Sequence, residues 1–391
     1  MKSNLKNISI LIPDGETTLL SHVVYSLALI KYIKIYVLSS HKTGYFEYSL
    51  DNNCFKHSRF IEKFVYYEKT TTEAWINKID NTVEVYDIDL IMPIFDLSTD
   101  KLLKHIDLLK SRTKLCYLSS HTNFETALRK DLLCLFLKSN HLPCPDSIIV
   151  SSKFEYEAVD IDFPIVAKPT YGFEGGMGVK LVSNKEELLN YIKINKTDSP
   201  LLLQEFVEGF DVSCNVLCKK GKLLAYTMQK GITMAKGIKV TPQHEFKFFH
   251  DDTLLGLMED LMKSLNWSGV ANIDFRFDQT NTVYKVIEIN PRFWLNTEAS
   301  ALAGVNFPYL YCLSTLNRSI EFIPVKKGTF LHLKALAKRL KRKPFFIFKF
   351  NYLLNNTPFI FIIKDPIVIW CKFIWRTNNI ISSKFLKKKK A

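Results

Sequence analysis

Two periodicities alternate along this chain. Short runs of β-branched and aromatic residues repeat between stretches whose apolar residues recur at helical spacing. Residues 8–12 (Ile-Ser-Ile-Leu-Ile) read as a strand, and 19–33 as a helix with Leu20, Val23, Val24, Leu27 and Ile30 on one side. Residues 35–38, 90–94 and 115–118 read as further strands, with a helix over 99–111 between the last two. Such β-α-β alternation predicts a parallel sheet flanked by helices. A helix over 123–139 carries Ala127, Leu128, Leu132, Leu135 and Phe136 as its apolar side, with Lys130 off that stripe. Beyond it the pattern changes to strands at 147–150, 163–169, 180–182 and 201–207, interrupted by a helix at 184–194. Two hairpins follow, 212–217 with 223–229 and 270–277 with 283–289, separated by a helix at 251–265.

Length and composition narrow the class. A chain of 391 residues with 47% hydrophobic content forms two or three folded domains. No apolar stretch of about 20 residues is free of charge, so no spanning helix is expected. The apolar run 8–12 is too short for a secretion signal. Eight scattered cysteines without a Cys-x-x-Cys pair suit a reduced, cytoplasmic protein and disfavour a zinc site. The net charge of +14 is unevenly spread: residues 326–391 hold 17 Lys/Arg and one Asp, leaving −2 for everything before them. A near-neutral body is not that of a nucleic-acid binder.

The second hairpin carries the densest chemistry. Its second strand runs into Glu288-Ile289-Asn290-Pro291-Arg292. Residues two apart on a strand point the same way, so Glu288 and Asn290 share a face, and Asp274 on the partner strand can join them. Two carboxylates and an amide oxygen are the hard ligands Mg²⁺ takes. Arg292 adds a fixed cation suited to phosphate oxygens. Further upstream, Lys168 ends a strand and precedes Gly172-Phe173-Glu174-Gly175-Gly176-Met177-Gly178. Glycines let backbone N–H groups approach phosphate, and Lys168 supplies a point charge beside them. That loop does not fit the Gly-x-x-x-x-Gly-Lys-Ser/Thr pattern, and no Gly-x-Gly-x-x-Gly follows the first strand.

Taken in order, these pieces resemble the ATP-grasp superfamily, to which carbamoyl-phosphate synthase large subunits, biotin carboxylase and D-alanine–D-alanine ligase belong. The resemblance spans residues 1 to about 325 and rests on Lys168, the Gly-rich loop, Gln204-Glu205-Phe206-Val207-Glu208-Gly209, Asn272-Ile273-Asp274-Phe275 and Glu288-Ile289-Asn290-Pro291-Arg292. It implies an α/β chain of the α+β ATP-grasp kind. A Rossmann-like parallel-sheet pre-ATP-grasp domain would occupy 1–119 and a two-lobed ATP-grasp domain 120–325. The lid lobe would lie at about 147–200 and the C-terminal lobe at about 201–325. The resemblance further implies that Lys130 and Lys168 meet the ATP phosphates, with Gly175, Gly176, Met177 and Gly178 as the lid. Glu205, Phe206 and Val207 would read adenine. Asp211 would stand where relatives carry a ribose-binding Glu. Asp274, Glu288 and Asn290 would hold Mg²⁺, with Mn²⁺ as a substitute. Arg292 would stabilise the transferring phosphoryl group, and Lys239 would lie on the substrate side. The activity implied is an ADP-forming ligation: a small carboxylate is phosphorylated to an acyl phosphate, which an amine then attacks. The alternatives are a bicarbonate-phosphorylating enzyme of the carboxylase or carbamoyl-phosphate type, and an ATP-binding scaffold without catalysis.

Residues 326–391 fall outside the resemblance. Leu333, Leu336, Ala337 and Leu340 lie on one helical face, opposite Lys334, Lys338, Lys341 and Arg342. Two expectations stand side by side here. One is a helical pair packed on the body with a basic end; the other is a peripheral contact with an anionic membrane at its inner surface.

Overall fold

The computed structural model describes residues 7–40, 54–68, 71–151, 161–171, 178–195, 200–232, 245–321 and 324–368, with 370, 371, 374 and 377. The chain forms two compact units. The first comprises residues 1–117, 293–321 and 336–391; the second comprises 118–292 and 322–335.

In the first unit, strands β1 (Ile8–Ile12), β2 (Ile33–Ser40), β3 (Lys63–Tyr67) and β4 (Leu90–Ile91) form a parallel sheet in the order β3-β2-β1-β4. The helix predicted over 19–33 is shorter, Leu20–Leu27, because the chain turns at Ala28–Tyr32 and β2 starts early at Ile33. The predicted strand 115–118 contributes only a bridge from Leu115 to Ile91. Leu11, Leu38, Ile76, Ile79, Ile91 and Leu102 are buried together between the sheet and the helices Thr72–Val85 and Asp96–Lys104. Neither the first of those helices nor β3 was among the predicted elements, although Trp75, Ile76, Ile79 and Val83 recur at helical spacing.

Later segments complete this unit. The helix Thr297–Leu302 packs on Leu20–Leu27, where the buried Glu298 meets His22 at 2.7 Å, and Asn306 Nδ2 donates to the Ser26 carbonyl at 2.7 Å. The C-terminal region is also part of the core. Phe361 stacks on Tyr25 with ring centroids 4.6 Å apart, Ser58 Oγ donates to the buried Asp365, and Leu353 and Val368 are buried. For residues 350–368, the packed expectation is therefore the one found. No helix among the described residues is long and apolar enough to cross a membrane.

The second unit is built on two antiparallel sheets. Strands β5 (Ser147–Val150), β6 (Ile165–Pro169), β7 (Lys180–Val182) and β8 (Leu201–Glu205) pair in the order β5-β8-β6-β7. The helix Lys185–Asn195 covers them through Leu188 and Tyr191, which bury against Val150, Ile165, Val182 and Leu203. The larger sheet contains β9 (Gly209–Lys219), β10 (Lys222–Gly231), β11 (Glu245–Phe249), β12 (Gly269–Asp278), β13 (Val283–Asn290) and β14 (Thr329–Leu331), ordered β13-β12-β9-β10-β11-β14. Both predicted hairpins are present within it, and β11 and β14 extend it. The helix Asp252–Ser264 opens with Asp251 accepting from the Leu254 amide at 3.0 Å, which satisfies one of its orphan donors.

The predicted helix 123–139 is two helices, His121–Leu128 and Lys130–Ser139. Arg129 between them is extended (φ −93°, ψ 122°), and its guanidinium binds Asp131 at 2.6 Å. The Lys130 amide donates to the Thr170 carbonyl at 3.0 Å. This break makes Lys130 the first residue of a helix anchored beside the end of β6 rather than one position among many on a longer surface helix.

Candidate functional site

Strands β9, β10, β12 and β13 place their polar residues in register. One row across the sheet reads Gln229, Ser213, Asp274, Glu288, and the next reads Thr227, Asn215, Asn272, Asn290. Alternation of side chains puts both rows on one face. A bulge between Asp274 and Phe275 on the β12–β13 pair resets the alternation. It brings Lys285, paired with Arg276, onto that polar face while Val286 stays buried opposite. A regular ladder would have put Val286 on the same face as Glu288.

The second row is joined side chain to side chain. Arg292 donates to Asn290 Oδ1 at 3.3 Å, Asn290 Nδ2 to Asn272 Oδ1 at 3.4 Å, and Asn272 Nδ2 to Asn215 Oδ1 at 2.9 Å. Asn215 Nδ2 ends the series on Thr227 Oγ1 at 2.9 Å. Every donor points the same way, so each amide fixes the orientation of the next, and Asn290 turns its oxygen toward Arg292. Asn215 and Thr227 are fully buried. Thr227→Val is therefore expected to leave a buried amide without this acceptor, at a cost of about 1–3 kcal/mol. A fall in the thermal midpoint would show it; an unchanged midpoint would mean the series is dispensable to the fold.

Three cations surround the carboxylates. Lys130 Nζ lies 3.6 Å from Glu288 Oε2. Lys168, at the end of β6, is buried and donates to Gln204 Oε1 at 2.9 Å. Burial pulls its ammonium down to about 8; the Glu288 carboxylate pushes the other way, and Lys130 adds to the fall. Burial also acts to raise the Glu288 carboxyl, but Lys130, Lys168, the Asn290 amide and Arg292 outweigh it and hold the group below its ordinary value. Asp274 behaves oppositely. Loss of water, then the neighbouring Glu288 charge, lifts it to about 7 despite a hydrogen bond from Ser213. Two carboxylates and an amide oxygen on one face suit a hard divalent cation, which would displace the Asp274 proton.

A second cluster continues along the same sheet. Lys285 binds Glu205 and stands 3.3 Å from Asp278. Arg276 holds Asp211 at 2.8 Å and donates to the Val207 carbonyl at 2.9 Å, with its guanidinium over the Phe206 ring. The segment 205–207 and Asp211 are thus tied to β12 and β13 by two cations that pattern reasoning missed. The alternation Asn272, Asp274, Arg276 was the signal that could have found Arg276; Lys285 needed the bulge. Gly178 is left-handed (φ +75°), and a Cβ there would approach Pro169 Cγ at 3.0 Å. Gly175, Gly176, Met177 and Lys239 lie outside the described residues.

Comparison with known proteins bears on the fold and on the segment that carries these residues. Residues 197–335 match a family described as "ATP-grasp in the biosynthetic pathway with Ter operon". The N5-carboxyaminoimidazole synthetase of Staphylococcus aureus, solved in complex with ADP, superposes with a TM-score of 0.66 at 16% identity, covering 87% of each chain. The chain has the ATP-grasp fold, and about a third of it matches an ATP-grasp family. An L-amino acid ligase from Bacillus licheniformis is similar at a TM-score of 0.57 and 17% identity, over 81% of this chain and 75% of that one. Among curated proteins, the carbamoyl phosphate synthase large chain of Agathobacter rectalis is 27% identical over 154 residues. That match takes in 37% of this chain but only 14% of the relative's length.

Proposed function

We propose that this ATP-grasp chain is an ADP-forming ligase that phosphorylates a small carboxylate and passes the acyl group to an amine. The observation that carries the reading is the convergence of Lys130, Lys168 and Arg292 on a sheet face bearing Asp274, Glu288 and Asn290. A scaffold that only held nucleotide would need no arginine aligned by the residue that also serves as a cation ligand. The likeness to an L-amino acid ligase supports an amine as acceptor.

In this reading Asp274, Glu288 and Asn290 would hold Mg²⁺, whose charge would neutralise phosphate oxygens. The chain's own residues do the rest. Lys130 and Lys168 bind the phosphate oxygens of ATP, and Arg292 meets the charge that develops on the transferring group. A carboxylate is a poor acyl donor because oxide would have to leave. Once it is phosphorylated, the amine attacks the carbonyl carbon: the C–N bond forms, the C–O bond to phosphate breaks, inorganic phosphate leaves, and the amine's proton passes to phosphate or solvent. Lys285 and Arg276 hold the segment 205–207 and Asp211 for the base and ribose. Gly175, Gly176, Met177 and Gly178 would cover the phosphates and exclude water from the acyl phosphate, and Lys239 would approach the acid.

The test is a panel of acids, bicarbonate included, against a panel of amines, scored by ADP release. One acid–amine pair should raise release far above the ATP-only rate. Tight ATP binding with no pair stimulating it would sink the ligase reading.

A pH dependence follows from Lys168. Phosphate binding favours its charged form, so nucleotide affinity should be full below pH 8 and fall above it, by up to about tenfold per pH unit. Lys168→Arg, whose guanidinium stays charged, should flatten the profile. Calorimetry between pH 7 and 9.5 decides it, and a flat wild-type curve would be the contrary result. The linked stability has the opposite sense. The folded value lies below the ordinary 10.5, so the ligand-free fold gains stability as pH rises from 8 to 10.5.

A further inference from the structure

We propose that the turn following the helix Leu333–Arg342 is a docking surface for an anionic phospholipid bilayer, with Phe345 and Phe348 as its inserting residues. The turn is a short 3-10 helix, Pro344–Phe348, closed by the Phe346 amide on the Lys343 carbonyl at 3.0 Å and the Lys349 amide on the Phe346 carbonyl at 3.1 Å. Its aromatic residues divide by role. Phe346 faces inward: it packs edge-on against Tyr352 at 5.3 Å and lies under the Arg339 guanidinium and the Lys349 ammonium. Phe345 and Phe348 face out, 82% and 66% exposed, with their rings 6.4 Å apart. Large apolar side chains exposed singly are ordinary; two phenyl rings held side by side on a rigid turn are not.

The charges around the turn say what covers it. Lys341, Arg342 and Lys343 precede the rings and Lys349 follows them, all exposed. No Asp or Glu occurs between Glu321 and Asp365, while that interval holds ten Lys/Arg. A soluble protein partner usually presents both signs and a shaped pocket. A bilayer with acidic headgroups presents a negative plane above a hydrocarbon layer, and takes lysines and arginines at the plane and aromatic rings beneath it. The contact proposed is a peripheral one, made by this turn at the headgroup plane. The structure also shifts weight to the turn: on the helix face read from the sequence Leu336 is buried within the protein and Leu333 and Leu340 are half-buried, so that face offers less apolar surface to lipid than the two rings.

The experiment uses the full chain with vesicles of phosphatidylcholine alone and with about one-third phosphatidylglycerol, at low and physiological salt. Co-sedimentation is expected with the anionic vesicles only, weakening as salt rises. F345S/F348S should lose the component that persists at physiological salt. K341Q/R342Q/K343Q should weaken binding about 10²-fold, at about fivefold for each charge near the surface. Both sets of side chains are exposed, so unchanged circular dichroism is expected and separates lost docking from lost folding. Absence of binding at low salt would overturn the proposal. So would anionic-vesicle binding untouched by F345S/F348S, or retention on single-stranded DNA without vesicle binding.

Discussion

Arg292→Ala should cut turnover by about 10²- to 10³-fold while leaving ATP affinity within a few-fold. Arg292 lies two residues past the end of β13, and its guanidinium rests on Asn290 Oδ1 at 3.3 Å. The other two cations sit differently. Lys130 begins a helix and is paired with Glu288, and Lys168 is buried at a strand end. Those two are placed to hold phosphates in the ground state. Arg292 is held through a residue proposed as a cation ligand, so it is placed where charge builds as a phosphoryl group moves. A group that acts only on developing charge lowers kcat when removed and leaves substrate affinity nearly intact. The measurement is ADP release alongside nucleotide binding for the same variant. A parallel loss of affinity with kcat unchanged would make Arg292 one more phosphate anchor and return weight to the scaffold alternative.

The elements of this site were readable to different depths. The hairpin of β12 and β13 was legible because both strands are short, rich in β-branched and aromatic residues, and separated by Asp278-Gln279-Thr280-Asn281. The shared face of Glu288 and Asn290 follows from a period of two. The bulge could not be read, because an extra residue changes facing without changing composition, and Lys285 was lost with it. Arg276 and Asp211 are 65 positions apart in the chain, and their ion pair exists only through the β9–β12 register. The stripe 123–139 looked continuous because Arg129 is a good helix former. What breaks it is tertiary: the Lys130 amide finds the Thr170 carbonyl and Arg129 finds Asp131. Similarly, residues 293–321 lie with the first unit, where Glu298 meets His22 across 276 positions. No local pattern encodes that distance.

Glu288→Gln should raise the Mg²⁺ concentration needed for half-maximal activity by about 10²-fold or more, and should weaken nucleotide binding as well. The double effect comes from where Glu288 stands. Its cross-strand partner is Asp274, whose carboxyl is lifted to about 7, so Glu288 is the carboxylate that stays charged at neutral pH. Glutamine keeps the shape and an oxygen but removes the charge a divalent cation needs. Glu288 is also the counter-charge for Lys130 at 3.6 Å and the group that keeps the buried Lys168 from losing its proton more readily. Without it Lys168 drops below about 8, and at pH 7.5 part of the population carries a neutral amine where ATP phosphates would lie. The two effects separate by pH. Lowering the pH to 6.5 should restore nucleotide affinity in Glu288→Gln by reprotonating Lys168, but it should not restore Mg²⁺ activation. A Glu288→Gln protein with the wild-type Mg²⁺ dependence would remove Glu288 from the cation site and leave it only as the partner of the two lysines.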